Sequence, residues 1–214
     1  MVDGGFYRKR ALHQWGYKTA EKRAAELYAY CNEHLRHQQK YEPERTLYRI
    51  FYYDCPPLGK TVYHPLLRRG IDFRHEDTYA WANKFFEELK KQRKVALRLG
   101  ELSDDFASFQ LSAVKLKALG LGKISFSDLS EKDFHVTFRQ KGVDMKIGLD
   151  IASLSYKKQV NQIILIAGDS DFVPAAKLAR REGIDFILDP MGADVKPNLF
   201  EHIDGLNSVW KKHH

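Results

Sequence analysis

The amino-acid sequence predicts an α/β protein built on a mainly parallel sheet, and three observations carry that reading. Two short apolar runs, QIILIA at 162–167 and IDFIL at 184–188, have the unbroken hydrophobic character of strands buried on both faces. Between them, residues 172–182 put Phe172, Ala175, Ala176 and Ala179 on one helical face and Lys177, Arg180 and Arg181 on the other. A strand, a helix and a second strand in that order form a parallel βαβ unit.

The remaining elements follow in chain order. Met1 and Val2 read as the last residues of a strand that enters a turn at Asp3-Gly4-Gly5. Residues 18–38 form a helix, with Ala20, Ala24, Leu27, Cys31 and Leu35 at three- and four-residue steps. Residues 46–53, TLYRIFYY, are rich in aromatic and β-branched types and read as a strand, ended by Asp54-Cys55-Pro56-Pro57. The polar stretch with Gly59, Pro65 and Gly70 reads as a long loop. A second helix spans 77–91 with Trp81, Phe85 and Leu89 on one face, followed by a short strand, KVALRL, at 94–99. Residues 100–139 read as an insertion with one helix and some extended chain. Residues 142–156 form a helix with Val143, Ile147, Ile151 and Leu154 inward, although Met145, Ile147 and Leu149 also alternate as in a strand. Gly183 stops the helix that ends at 182. The whole of 1–214 is expected to be one domain carrying that insertion.

Composition narrows the partners. Lys and Arg number 35 against 28 Asp and Glu, giving +7 and a pI near 9.2. A basic chain favours an anionic partner, of which nucleic acid is the commonest. The two cysteines, Cys31 and Cys55, form no CxxC pair, so neither a disulfide framework nor a cysteine zinc site is indicated. Without an apolar run of about 20 residues or a leader-like start, the chain is expected in the cytoplasm, not in a membrane. HExxH, a Walker loop and GxGxxG are all missing, which argues against a zinc hydrolase, a P-loop nucleotidase and a dinucleotide enzyme.

The chemistry is expected where open α/β sheets bind ligands, outside the carboxyl ends of the strands. Asp3 follows the first strand, and Asp169 and Asp171, in AGDSDF, follow QIILIA. Asp144, at the start of the preceding helix, reaches the same edge. Carboxylates that converge keep their charges only if a cation neutralises them. Oxygen-only ligands suit one or two Mg2+ or Mn2+ ions. Such ions stabilise charge on a phosphoryl group and activate water. Each acid also has a structural reading. Asp169 or Asp171 caps the helix starting near Phe172, Asp3 belongs to a two-glycine turn, and Asp144 favours a helix amino end. Asp150 lies six residues after Asp144, on a different face, and pairs with Lys146 or stands behind the ligands. Asp54 and Asp189 read as turn residues before proline. Of the basic clusters, Arg8-Lys9-Arg10 lies closest to Asp3. Phe6 and Tyr7 between them read either as base-stacking or as core residues.

VDGGFYRK at the start, KGVDMKIGLDIASLS and IILIAGDSDFVPAAKLARREGIDFIL together resemble the NYN domain of the LabA-like group, in the PIN-like nuclease superfamily. The resemblance covers the first ten residues and roughly 141–205. It implies a three-layer α/β/α sandwich and metal-dependent ribonuclease activity. Carried over motif by motif, the catalytic and metal-holding acids are Asp3, Asp144, Asp169 and Asp171. Gly4, Arg8, Lys9, Lys141 and Ser170 are expected on the RNA, and Asp150 behind the ligands. Only two residues precede Asp3, fewer than the strand of the family has. Two other readings stand beside this one: an RNA-binding regulatory module with a degenerate site, and a Toprim-like phosphotransfer enzyme. For the latter, no glutamate after an earlier strand presents itself. Oligomeric state is not legible.

Overall fold

The computed structural model describes residues 1–36 and 44–209. In chain order the first elements are β1 (Val2–Asp3), α1 (Gly4–Trp15), α2 (Ala20–Arg36), β2 (Ile50–Asp54), β3 (Thr61–His64), β4 (Arg69–Asp72), α3 (Asp77–Lys90) and β5 (Val95–Leu99). There follow β6 (Glu101–Leu111), α4 (Ala113–Gly120), β7 (Phe134–Lys141), α5 (Val143–Tyr156), β8 (Gln162–Ile166), α6 (Val173–Arg181), β9 (Asp185–Asp189), α7 (Pro197–Phe200) and β10 (Gly205–Leu206). The chain forms two compact units. One holds the described residues of Met1–Cys55, Lys84–Gly100 and the chain from Gly142 onward; the other holds Pro56–Asn83 and Glu101–Lys141.

The first unit is an α/β body on a six-stranded, all-parallel sheet in the order β10-β9-β8-β1-β2-β5. Strand β2 shows why the sheet is a middle layer: all five of its residues are buried. Phe51 and Tyr53 enter a core with Ile147, Ile151 and Leu154 of α5 and Ala176 and Ala179 of α6. On the opposite face, Tyr52 meets the rings of Phe85 and Phe86 of α3 at centroid distances of 5.5 and 6.3 Å. Helices on both faces leave no room for an alternating polar side, which is why these strands read as continuous apolar runs. β1 is only two residues long, yet it lies between β2 and β8, with Val2 in register with Tyr52 and Ile166 and fully buried.

The expected elements at 18–38, 77–91, 94–99, 142–156, 162–167 and 184–188 are present with ends shifted by a few residues; residues 37 and 38 lie outside the described residues. The helix expected at 172–182 begins as a 3-10 turn at Ser170–Phe172 and continues as α6. Three local expectations are corrected. Residues 4–15 are a helix and not a turn, because Asp3 caps it. The strand expected at 46–53 starts only at Ile50. The polar stretch read as a loop holds the antiparallel hairpin β3–β4, with Thr61 opposite Asp72.

The second unit joins that hairpin to a longer one, β6–β7, with α4 in its connection. Its core includes His64, buried between the rings of Phe109 and Phe134 at 4.3 and 5.2 Å. Among the described residues no helix is long and apolar enough to cross a membrane.

Candidate active site

The carboxyl ends of β1, β2 and β8 lie side by side, since these are neighbours in the sheet. Asp3 is the last residue of β1 and the N-cap of α1, where its Oδ1 accepts the Phe6 amide at 3.1 Å. Two glycines let this edge close. A Cβ on Gly4 would stand 2.5 Å from the Tyr52 hydroxyl and 2.6 Å from Asp54 Oδ2. One on Gly168 would stand 2.4 Å from the Phe6 ring. The half-buried Phe6 therefore lies on the backbone of the GDSD segment, and Tyr7 is wholly buried, donating to Glu26. Tyr7 is a core residue.

Asp144 sits in the first turn of α5, which starts from Gly142 in the left-handed conformation at φ +81°. That conformation suits glycine, and it turns the chain out of β7 directly into the helix. Asp169 follows β8 and caps the 3-10 turn, accepting the Asp171 amide at 3.3 Å. Asp171 makes no cap, and α6 begins after it with Pro174 in its first turn. Of the two capping readings, Asp169 therefore holds. Asp144, Asp169 and Asp171 are exposed, and Asp3 is half-buried.

Burial raises the pKa of Asp3 most, and the Asp144 and Asp54 carboxylates raise it further against the opposing Phe6 hydrogen bond. The Asp144 pKa is raised by desolvation first and then by Asp169 and Asp171. Asp144 thus senses the GDSD pair, and Asp3 senses Asp144. The four acids expected from sequence form one electrostatic group.

A family model for the NYN domain matches residues 62–196, more than half of the chain. This chain belongs to the NYN domain family. The matched segment holds Asp144, Asp169 and Asp171, while Asp3 precedes it. The central parallel sheet flanked by helices agrees with the PIN-like nuclease fold of NYN domains. No curated protein and no solved structure matches the chain.

In this NYN domain the acid group also has a neighbour that sequence reading set aside. Asp54, expected as a turn residue before proline, ends β2 and is 2% exposed. Its Oδ1 accepts Arg8 Nη2 at 2.9 Å and the Cys55 amide at 2.8 Å, and its Oδ2 accepts the Tyr52 hydroxyl at 2.9 Å. Its pKa is raised by burial and pulled back by Arg8. Arg8 is thereby tied down instead of being a free surface cation. Lys9 is exposed, Gly4 is buried, and Ser170 lies within 3.4 Å of Lys196 Nζ. Lys141 ends β7 in the second unit and is exposed. Asp150 accepts the Tyr53 hydroxyl at 2.8 Å and Arg98 Nε at 3.0 Å; Lys146 bonds the Leu99 carbonyl, so the expected Asp150–Lys146 pair does not form. Asp189, the other acid before a proline, is fully buried and takes donors from Tyr30, Ser208 and the Met191 amide and a ring nitrogen of His34. It is a structural hub.

The donor set suits a hard divalent cation: it is all carboxylate oxygen, and its members disfavour each other's charge. The arrangement is open, because among the described residues no three His, Cys, Asp or Glu side chains converge enough to enclose a metal ion. Magnesium keeps several waters and commonly takes one or two carboxylates plus substrate phosphates. An open acidic edge fits that habit. A cavity of about 730 Å³ lies at the other end of the strands, beside Ile50, Gln162 and Asp185, the first residues of β2, β8 and β9. By its place at the amino ends it does not belong to the acid group.

Proposed function

We propose that this NYN domain is a metal-dependent ribonuclease of the LabA-like kind, hydrolysing RNA phosphodiester bonds at the edge that carries Asp3, Asp144, Asp169 and Asp171. The observation that carries the reading is the coupling of these acids: Asp144 feels Asp169 and Asp171, and Asp3 feels Asp144. Charges that repel in this way cost stability at neutral pH unless a cation joins them. A bound Mg2+ or Mn2+ supplies charge neutralisation at the phosphoryl oxygens and lowers the pKa of a bound water. The four aspartates hold the ion or ions directly or through water. Arg8, Lys9, Lys141 and Ser170 are assigned to the RNA backbone, and the buried Gly4 to close approach of the chain. Asp150 acts only through Tyr53 and Arg98. RNA as the partner is supported by the family and by the +7 charge.

The openness of the acid group favours a second reading, an RNA-binding module whose site does not complete a metal sphere. Cleavage of labelled single-stranded RNA with Mn2+ or Mg2+ separates the two. Under the first reading wild type cuts, EDTA stops it, and Asp169→Asn and Asp171→Asn each lose cleavage by at least a hundredfold. Undiminished cleavage by either variant removes that residue from the mechanism. Binding without cleavage by the wild type supports the second reading.

A further inference from the structure

The acid group is bracketed by two cations that lie far apart in sequence. On the β2 side, Arg8 is gripped by Asp54 through Nη2, and its Nε lies 3.4 Å from the Gly4 carbonyl. Its side chain is one-third exposed (33%), and its Nη1 has no partner among the described residues. On the β8 side, Lys196 Nζ reaches Ser170, the residue between Asp169 and Asp171. Lys196 is exposed and makes no ion pair among the described residues. Sheet order β8-β1-β2 sets Asp3 between the two. With strands about 4.8 Å apart, the ends of β2 and β8 are roughly 10 Å from each other.

From this arrangement, and resting on the ribonuclease reading, we infer that Arg8 and Lys196 are two phosphate subsites, one on each side of the acid group. The substrate backbone crosses the edge of the sheet perpendicular to the strands, with flanking phosphates on the two cations and the scissile one over the aspartates. A stacked strand rises about 3.4 Å per nucleotide, so roughly 10 Å spans about three nucleotides. The two cations suit this task differently. The guanidinium fork holds Asp54 and still has N–H groups for a phosphate oxygen, whereas the Lys196 ammonium acts as a point charge.

Asp54 is the positioning residue. Both of its oxygens are occupied by internal donors, and it is buried, so it is spent on Arg8 and not on an ion. A buried carboxylate left without its cation is costly, which holds the guanidinium in place beside Gly4.

The test is binding of octauridylate with Ca2+ in place of Mg2+, measured over a series of salt concentrations. Each phosphate contact on a single strand contributes about 0.7 to the slope of log K against log salt. Arg8→Ala and Lys196→Ala should each flatten the slope by about 0.7, and the double variant by about 1.4. Asp54→Asn, folded by circular dichroism, should flatten it as Arg8→Ala does although the arginine is retained. Lys177→Ala, which removes a charge on the outer face of α6, should leave the slope unchanged. With the dinucleotide UpU, which has one internucleotide phosphate, the double variant should lose no more than the more affected single variant. Wild-type binding with unaltered slopes in the Arg8 or Lys196 variants, or equal flattening by Lys177→Ala, overturns the two subsites and leaves the ribonuclease reading standing. Slopes unchanged in Asp54→Asn alone remove its positioning role. No binding of octauridylate by the wild type overturns both readings.

Discussion

The Asp3 carboxylate starts a helix through one oxygen and joins the acid group through its charge. Such double use makes the site costly in the absence of a cation. For Asp3 and Asp144 the folded pKa lies above the ordinary value, so the folded state binds more protons than the unfolded one between the two values. Stability from these groups is therefore present below the ordinary carboxylate pKa and is lost as pH rises through the raised one. Asp72, half-buried and lowered to about 2 by Arg74, has the opposite sign: its contribution is lost only as pH falls toward that value. In metal-free protein, Asp144→Asn should raise the melting temperature at pH 7 by roughly 1–3 °C, less than about 1 kcal/mol because the residue is exposed. It should also flatten the decline of stability with rising pH. Urea unfolding from pH 4 to 8 checks this; a variant less stable than wild type at pH 7 contradicts the repulsion. At this scale the four candidate aspartates were legible because the local motifs VDGG, KGVD and GDSD hold them. Asp54 was not, since a residue before two prolines reads as a turn, and only the sheet shows that it ends a buried strand next to Arg8. Lys196 carries no motif and gains meaning only from Ser170.

Helices α1 and α5 carry the candidate site because both begin at the edge, and each depends on a local device. For α1 it is the Asp3 cap, which sequence reading lost behind Gly4 and Gly5. For α5 it is Gly142, whose left-handed conformation costs other L-residues roughly 1–2 kcal/mol. Gly142→Ala should therefore destabilise the protein by about that amount and shift the first turn that carries Asp144. The expected result is a lower urea midpoint and RNA cleavage reduced more than in a variant of equal stability loss away from the edge. Equal losses in both would show that the turn matters for folding only. The hairpin β3–β4 escaped notice because its buried side is short: within β3 only Val62 and His64 are buried, too few to make a pattern.

At the scale of the whole molecule, the chain passes between its two compact units four times, at 55–56, 83–84, 100–101 and 141–142. One of these passages falls inside α3, a continuous helix. A helix that belongs to both units ties their stabilities, so the chain is expected to unfold as one domain. Far-ultraviolet circular dichroism and tryptophan fluorescence should give coincident urea transitions. Two separated transitions would instead assign the units to independent domains. The sequence by itself determined the parallel βαβ core and the helix faces and singled out the four candidate acids, because period, composition and short motifs are local properties of the chain. Tertiary structure alone decided which strand lies at the centre, that Asp54 serves Arg8, that Asp189 is an internal hub and that Lys196 reaches Ser170. Those facts depend on strand order and burial, which bring together residues as much as 181 positions apart and leave no periodic trace.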